Sequence, residues 1–157
     1  MIDALDGSAV ISSCDRYRYR LVRHIGGGAQ ITWIGLNPST ADAHVDDPTL
    51  RRILAFSKAW GFGTVVLVNL FAWRSTDPRA LSTVPHPIGP ENDTHLAAAV
   101  RASAMVLACW GARGGLQGRA AHVRKTLPKT SKCLGHTKAG HPRHPLYVRG
   151  GTAPIAL

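Results

Sequence analysis

Gly35-Leu36-Asn37-Pro38-Ser39-Thr40 ends an apolar run, Gln30-Ile31-Thr32-Trp33-Ile34, and every residue of the hexapeptide except Leu36 favours turns or caps over regular structure. The run has the length and composition of a buried strand. A strand that stops in such a turn leaves a polar side chain at the carboxyl end of a sheet, where open α/β sheets place their ligand crevices. Two readings of Asn37 follow. It bonds nearby backbone in a sharp strand-to-helix turn, or it faces a ligand.

The same pattern recurs along the chain. Asp46-Asp47-Pro48 opens a helix that Asp47 can cap; Leu50, Ile53, Leu54 and Trp60 share one face, and Gly61 ends it. Thr64 to Asn69 is a second apolar, β-branched strand that also ends in asparagine. Asn92 or Asp93 is placed to cap a helix running to Arg101. Met105 to Trp110 is a third strand, ending in the Gly111 turn. Leu116, Ala120, Val123 and Leu127 fit one face of a helix that Pro128 closes, and Lys132 to Gly135 is a short fourth strand. Upstream, Arg16, Arg18 and Arg20 alternate with Tyr17, Tyr19 and Leu21. That is the period of a half-buried strand, which Val10 to Ser12 can join as a hairpin. The arginine stripe is expected to be a solvent-facing edge kept from aggregating by its charge, with phosphate contact as the alternative.

Strands alternating with helices predict a parallel sheet with crossovers on its faces. The expected architecture is therefore α/β: a three-layer α/β/α domain around a short, mainly parallel four-stranded sheet, with an N-terminal β-hairpin. It forms one domain over residues 1–157, with residues 1–8 loosely ordered and order beginning at Ala9. In such a sheet Asn37, Asn69, the Gly111 loop and the segment from His141 to Tyr147 emerge along the same edge.

With 45% hydrophobic and 18% charged residues over 157 positions, the chain reads as a globular protein. No apolar run is long enough to span a bilayer and no basic-then-apolar leader is visible, so the cytoplasm is the expected compartment and no membrane contact is expected. Cys14, Cys109 and Cys133 have no paired spacing and read as free core thiols. Charge is unevenly placed. All nine acidic residues lie between Asp3 and Asp93, balanced by nine Lys and Arg, whereas the chain from Thr94 onward has ten bases and no acid and carries the whole net charge of +10. Such an unneutralised half predicts a phosphate-bearing partner, with nucleic acid the expected one.

Gly35-Leu36-Asn37-Pro38, the strand end Val66-Leu67-Val68-Asn69, the strand end Leu107-Ala108-Cys109-Trp110-Gly111 and His144-Pro145-Leu146 resemble, in this order, the motifs of the uracil-DNA glycosylase superfamily. More narrowly, Gly35 to Asp42, Asp47-Pro48-Thr49, Asn69-Leu70-Phe71-Ala72, Thr76-Asp77-Pro78 and His144-Pro145-Leu146-Tyr147 resemble an uncharacterised bacterial family catalogued as domain of unknown function 1643. The broader resemblance implies a uracil-DNA glycosylase-like sheet, makes DNA the expected partner in preference to RNA, and assigns roles. Asn37 would position or activate water, Asn69 would read the base edge, and His144 would stabilise the departing base. Gly35, Pro38, Ser39, Phe71, Pro145 and Tyr147 would surround the substrate, and Arg113, Lys138, Arg143 and Arg149 would grip phosphates. Ser39 and Thr40 stand where efficient uracil excisers carry an aromatic residue, which leaves exclusion of thymine without support. His141-Pro142 offers a second start for the late motif, and His144 is preferred because it opens His-Pro-Leu-Tyr.

The implied function is recognition of a nucleobase and hydrolysis of the N-glycosidic bond of a modified or damaged base in nucleic acid. The base must first be extruded from the stack. A neutral His144 then donates to the base oxygen as negative charge develops. The competing functions are a non-catalytic nucleic-acid-binding module of the same fold and a metal-dependent hydrolase built on His136, His141 and His144. The last has loosely spaced histidines on a proline-containing loop with no acid after Asp93, and three cysteines are too few for an iron-sulfur cluster. No metal or cofactor is expected.

Overall fold

The computed structural model describes residues 6–157. Its strands are β1 (Asp6–Ile11), β2 (Arg18–His24), β3 (Gln30–Gly35), β4 (Thr64–Asn69), β5 (Met105–Ala108), β6 (Lys132–Cys133) and β7 (Ile155–Ala156). Its α-helices are α1 (Pro48–Ala59), α2 (Asn92–Arg101) and α3 (Arg119–Arg124). Three 3₁₀ segments, Pro78–Ser82, Ala112–Gly118 and Pro145–Tyr147, shape the connecting loops.

The sheet is mixed and has seven strands in the order β1-β2-β4-β3-β5-β6-β7, which corrects the expected four. The four foreseen strands are its parallel centre: β3 pairs in parallel with β4 and β5, and β5 with β6. The additions are antiparallel. The β1–β2 hairpin pairs onto β4 through Leu21↔Leu67 and its neighbours, and β7 pairs with β6. Chain direction across the sheet reverses at β3, with β4 on one side and β5 on the other, the kind of switch point where α/β sheets open a crevice.

Alternation decides which helix covers which face. Ile31, Trp33, Val65, Leu67 and Leu107 pack with Leu50, Ile53 and Phe56 of α1. Ile34, Val66, Val68, Val106 and Ala108 pack on the other side with Leu96 and Ala99 of α2 and Val123 of α3. Asp47 caps α1 as expected, its Oδ1 accepting from Leu50 N at 2.8 Å, and Pro48 occupies the first turn. The buried Trp33 indole donates to Ser57 Oγ at 2.9 Å, and that hydroxyl donates to Ile53 O, so these two buried polar groups are satisfied.

Several expectations need correction. β2 is an interior strand between β1 and β4 and no edge: of the expected stripe Arg16, which precedes β2, is exposed, Arg20 is half-buried and Arg18 is 2% exposed, while Arg23, outside the stripe, is 1% exposed. The alternation that suggested an outward stripe is broken by a bulge. Val10 pairs with Arg20 and Ile11 with Arg18, leaving Tyr19 as an extra residue. Tyr19 stacks on His95 of α2 and Arg18 goes to the opposite face, where it donates to Ala41 O; the bulge puts Arg18 on the same side as Leu21, which packs with Ala41. Asp6, Gly7 and Ser8 already belong to β1; residues 1–5 of the stretch expected to be loose lie outside the described residues. Asn92 is not a cap but a fully buried helix residue, and Glu91 stands at the cap position with no side-chain bond. Leu116 lies outside α3, because Leu116 and Gln117 take non-helical backbone angles, yet it packs on the same core as Ala120, Val123 and Leu127. Cys14 is exposed; Cys109 and Cys133 are the buried thiols.

Candidate functional site

The turns after β3 and β4 are joined edge to edge. Leu70 N donates to Gly35 O, Phe71 N to Leu36 O and Ser75 N to Pro38 O, each at 2.9 Å. Asn37 reinforces this seam: its Nδ2 donates to Ser75 O at 2.9 Å, to Pro38 O at 3.1 Å and, at 3.5 Å, to Trp73 O. All these acceptors are carbonyls, which fixes the amide orientation and leaves only Oδ1 to face a ligand. The backbone-bonding reading of Asn37 therefore describes its nitrogen, and a ligand-facing role belongs to its oxygen alone.

Asn69 is treated in the opposite way. It is 3% exposed, and its Nδ2 is enclosed with no hydrogen-bond acceptor among the described residues. Gly35 leaves room for it: a Cβ there would stand 2.7 Å from Asn69 Oδ1, so the amide would have to shift. The backbone behind Asn69 is held firmly. Asn92 Nδ2 donates to Asn69 O and Leu70 O at 2.9 and 3.1 Å, and Arg119 Nε donates to Leu70 O at 2.8 Å. Arg119, one of the ten bases of the acid-free half, is itself buried and paired with Asp93, so it is a scaffold group and not part of a phosphate-binding surface. A buried amide without a partner costs about 1–3 kcal/mol. The fold thus positions Asn69 rigidly while leaving its best donor unused.

His144 stands just before the 3₁₀ turn Pro145–Tyr147, and its Nδ1 accepts from Leu146 N at 3.2 Å. An accepting Nδ1 places the proton of the neutral ring on Nε2, so Nε2–H is the free donor. Burial lowers the imidazole pKa from its ordinary value, and the carboxylate of Asp47 only partly opposes that. The segment is anchored to α1 by Arg52, whose Nη2 donates to Val148 O, and to the end of β5 by Gly111 N, which donates to Pro142 O.

These groups line one cleft of about 310 Å³ at the carboxyl ends of β3, β4 and β5, the small end of the usual range for ligand sites. Asn37, Asn69, His144, Gly35, Ser39 and Tyr147, all expected at the site, line it. Phe71 does not: it is 0% exposed and packs in the core beneath α2, which removes it as a stacking platform. Pro38 and Pro145 are buried and stand behind the walls without lining them. His141 is also outside the cleft, its backbone tied to Thr137 Oγ1, so position favours His144. His136 lies instead 3.6 Å from Cys133 Sγ. Among the described residues no three His, Cys, Asp or Glu side chains gather as a metal would need, so the three histidines of the metal reading are not brought together.

Four polar lining residues, Arg18, Asp47, Thr49 and Thr76, were missed. Asp47 was read only as a cap, yet it is the one carboxylate lining the cleft; Asp47-Pro48-Thr49 and Thr76-Asp77-Pro78 were visible as motifs, and Thr49 and Thr76 line the cleft too. Arg18 was hidden by the bulge. The expected phosphate-binding residues Arg113, Lys138, Arg143 and Arg149 are exposed and lie outside the cleft, and among the described residues none forms an ion pair. A larger hollow of about 550 Å³ opens between Tyr17, Gln117 and residues 85–90, but His86 is the only imidazole, carboxylate or cation in its wall.

No helix among the described residues is long and apolar enough to cross a membrane. No curated protein and no solved structure matches the chain. A family described as protein of unknown function (DUF1643) matches residues 18–146, a span that runs from the first residue of β2 into the Pro145–Tyr147 turn and includes Arg18, Asn37, Asp47, Asn69 and His144. With most of its length matched, the chain belongs to this family.

Proposed function

We propose that the cleft receives a nucleobase from nucleic acid and that the protein hydrolyses the N-glycosidic bond of a modified or damaged base, as the resemblance to uracil-DNA glycosylases suggests. One observation carries this reading. Asn69, whose enclosed amide nitrogen has no acceptor among the described residues, and His144, whose Nε2–H is a donor, line the same small cleft. A base edge offers the acceptor that Asn69 lacks. A base oxygen gaining negative charge is the acceptor for which a neutral imidazole donor is suited. Bond breaking leaves positive charge on the sugar, and water must then add to it. Asn37 can present only its oxygen to that water, and Asp47 supplies the nearby negative charge.

The exposed bases of the acid-free half hold the strand outside the cleft in this account. A non-catalytic binding module of the same fold is the second reading, favoured by the structural use of the Asn37 amide, since an asparagine that welds two turns has less to offer to chemistry. Mass spectrometry of bases released from single- and double-stranded oligonucleotides carrying a panel of damaged bases separates the two. Release of one base class supports hydrolysis. Tight strand binding with no release from any substrate overturns it in favour of the binding module.

A further inference from the structure

Two arginines of β2, Arg18 and Arg23, are buried on the α1 side of the sheet, and the fold satisfies only one of them. Arg23 pairs with Asp46 at 2.9 Å and donates to the carbonyls of Val22, Asp42 and Val45. Arg18 has no carboxylate within ion-pair distance among the described residues. Its Nη1 donates to Ala41 O, and among the described residues its enclosed Nε has no acceptor and its Nη2 makes no hydrogen bond. Burial pulls this guanidinium down to about 10, against the opposing charge of Asp47, which still leaves it a cation at neutral pH. A buried cation with open donors is costly unless an anion completes it.

The surroundings suit such an anion. Arg18 lines the cleft beside Ser39, Thr49 and Thr76, whose hydroxyls make no hydrogen bonds among the described residues, and the first turn of the 12-residue α1 opens there. Guanidinium forks, hydroxyls and helix starts are the groups that bind phosphate oxygens. Asp47 lines the same wall and stands against a second negative charge.

We propose that Arg18 holds a phosphodiester of the substrate strand inside the cleft, next to the base that Asn69 reads. The singly charged diester matches one guanidinium beside one carboxylate, whereas a terminal phosphate monoester brings charge that Asp47 repels. The base half of this inference rests on the proposed function; the phosphate half does not.

Calorimetric binding of nucleosides, their 5′-monophosphates and dinucleoside monophosphates, with each of the four ordinary bases, tests it. The wild type is expected to bind dinucleoside monophosphates at least about tenfold tighter than nucleosides, as for one charge-assisted contact. Arg18→Gln should abolish that preference, Arg18→Lys should keep part of it, and Asp47→Asn should move it towards the 5′-monophosphates. Because Arg18 is buried, folding of its variants is checked by circular dichroism. Thr76→Val, an exposed change that leaves Arg18 in place, should weaken diester binding alone. Equal affinity for nucleosides and diesters, a preference that survives Arg18→Gln, or no diester binding at millimolar concentration overturns the proposal. If no base is ever released but the Arg18-dependent preference holds, the hydrolysis reading fails and this inference stands.

Discussion

Asn37 and Asn69 both stand where a parallel strand gives way to a turn. The nitrogen of Asn37 reaches three carbonyls, whereas that of Asn69, more deeply buried, reaches none among the described residues. The turn after β3 is finished within the protein, and the turn after β4 is left one bond short above a cleft. One residue type at equivalent positions can therefore close a fold or open a site, and hydrogen-bond completion separates the two cases.

The largest effect is expected in chemistry. His144→Ala and Asn69→Ala should each lower base release by about 10²-fold or more, the scale of one lost transition-state donor. His141→Ala, outside the cleft, should act far less, and parallel rate measurements on all three check this. Comparable losses from His141 and His144 would remove the positional argument for His144.

Next comes the scaffold that carries both turns. Arg23→Met leaves Asp46 without its buried partner and frees the loop carbonyls of Asp42 and Val45, so urea unfolding should show a loss of about 3 kcal/mol. A change within a few tenths of a kcal/mol would mean that this loop is held by packing alone.

pH should sharpen the role of His144. Its folded pKa lies below 6.5 because burial disfavours the imidazolium, so the neutral donor persists as pH falls past 6.5 and fails only on reaching the lowered folded value. The acid limb of base release should lie below the ordinary histidine range. Asp47→Asn keeps a residue able to cap α1 but removes the charge that favours protonation, and should move the limb lower still. The same shift makes protonation cost stability: none is lost above 6.5, and loss grows as pH falls from there through the folded value.

Smallest is the outer electrostatic effect. If four to six exposed bases of the acid-free half meet phosphates, the log–log salt slope of strand binding should be about −3 to −5. Reversing charge at Lys138 and Arg143 should weaken binding, whereas reversal at Arg51, in the charge-balanced half, should do little. Equal losses from both would dissolve the assignment of a face.

The parallel centre was legible because β3, β4 and β5 are apolar runs that stop at turn residues, and burial on both faces demands such runs. The hairpin's place in the sheet was not legible: a single extra residue at Tyr19 puts Arg18 on the same side as Leu21, whereas alternation read from sequence sets them on opposite sides. Arg18 was lost with it. Asn37, Asn69 and His144 were legible as strand-end and late-loop residues, whereas Phe71 was misplaced because an aromatic beside a turn fits core and cleft equally until Asn92 and Arg119 are seen fastening the backbone just before it. Asp47 was visible as a cap, and only the fold shows that the start of α1 opens on the cleft.

Urea unfolding of Asn37→Ala beside Asn69→Leu tests the contrast most directly. Asn37→Ala frees carbonyls that now have a donor and should cost about 1–3 kcal/mol. Asn69→Leu removes an amide with no partner, and should leave stability unchanged or raise it, while abolishing base recognition. If Asn69→Leu instead destabilises the protein as much as Asn37→Ala, the amide of Asn69 already has its partner in the free protein and is not held open for a ligand.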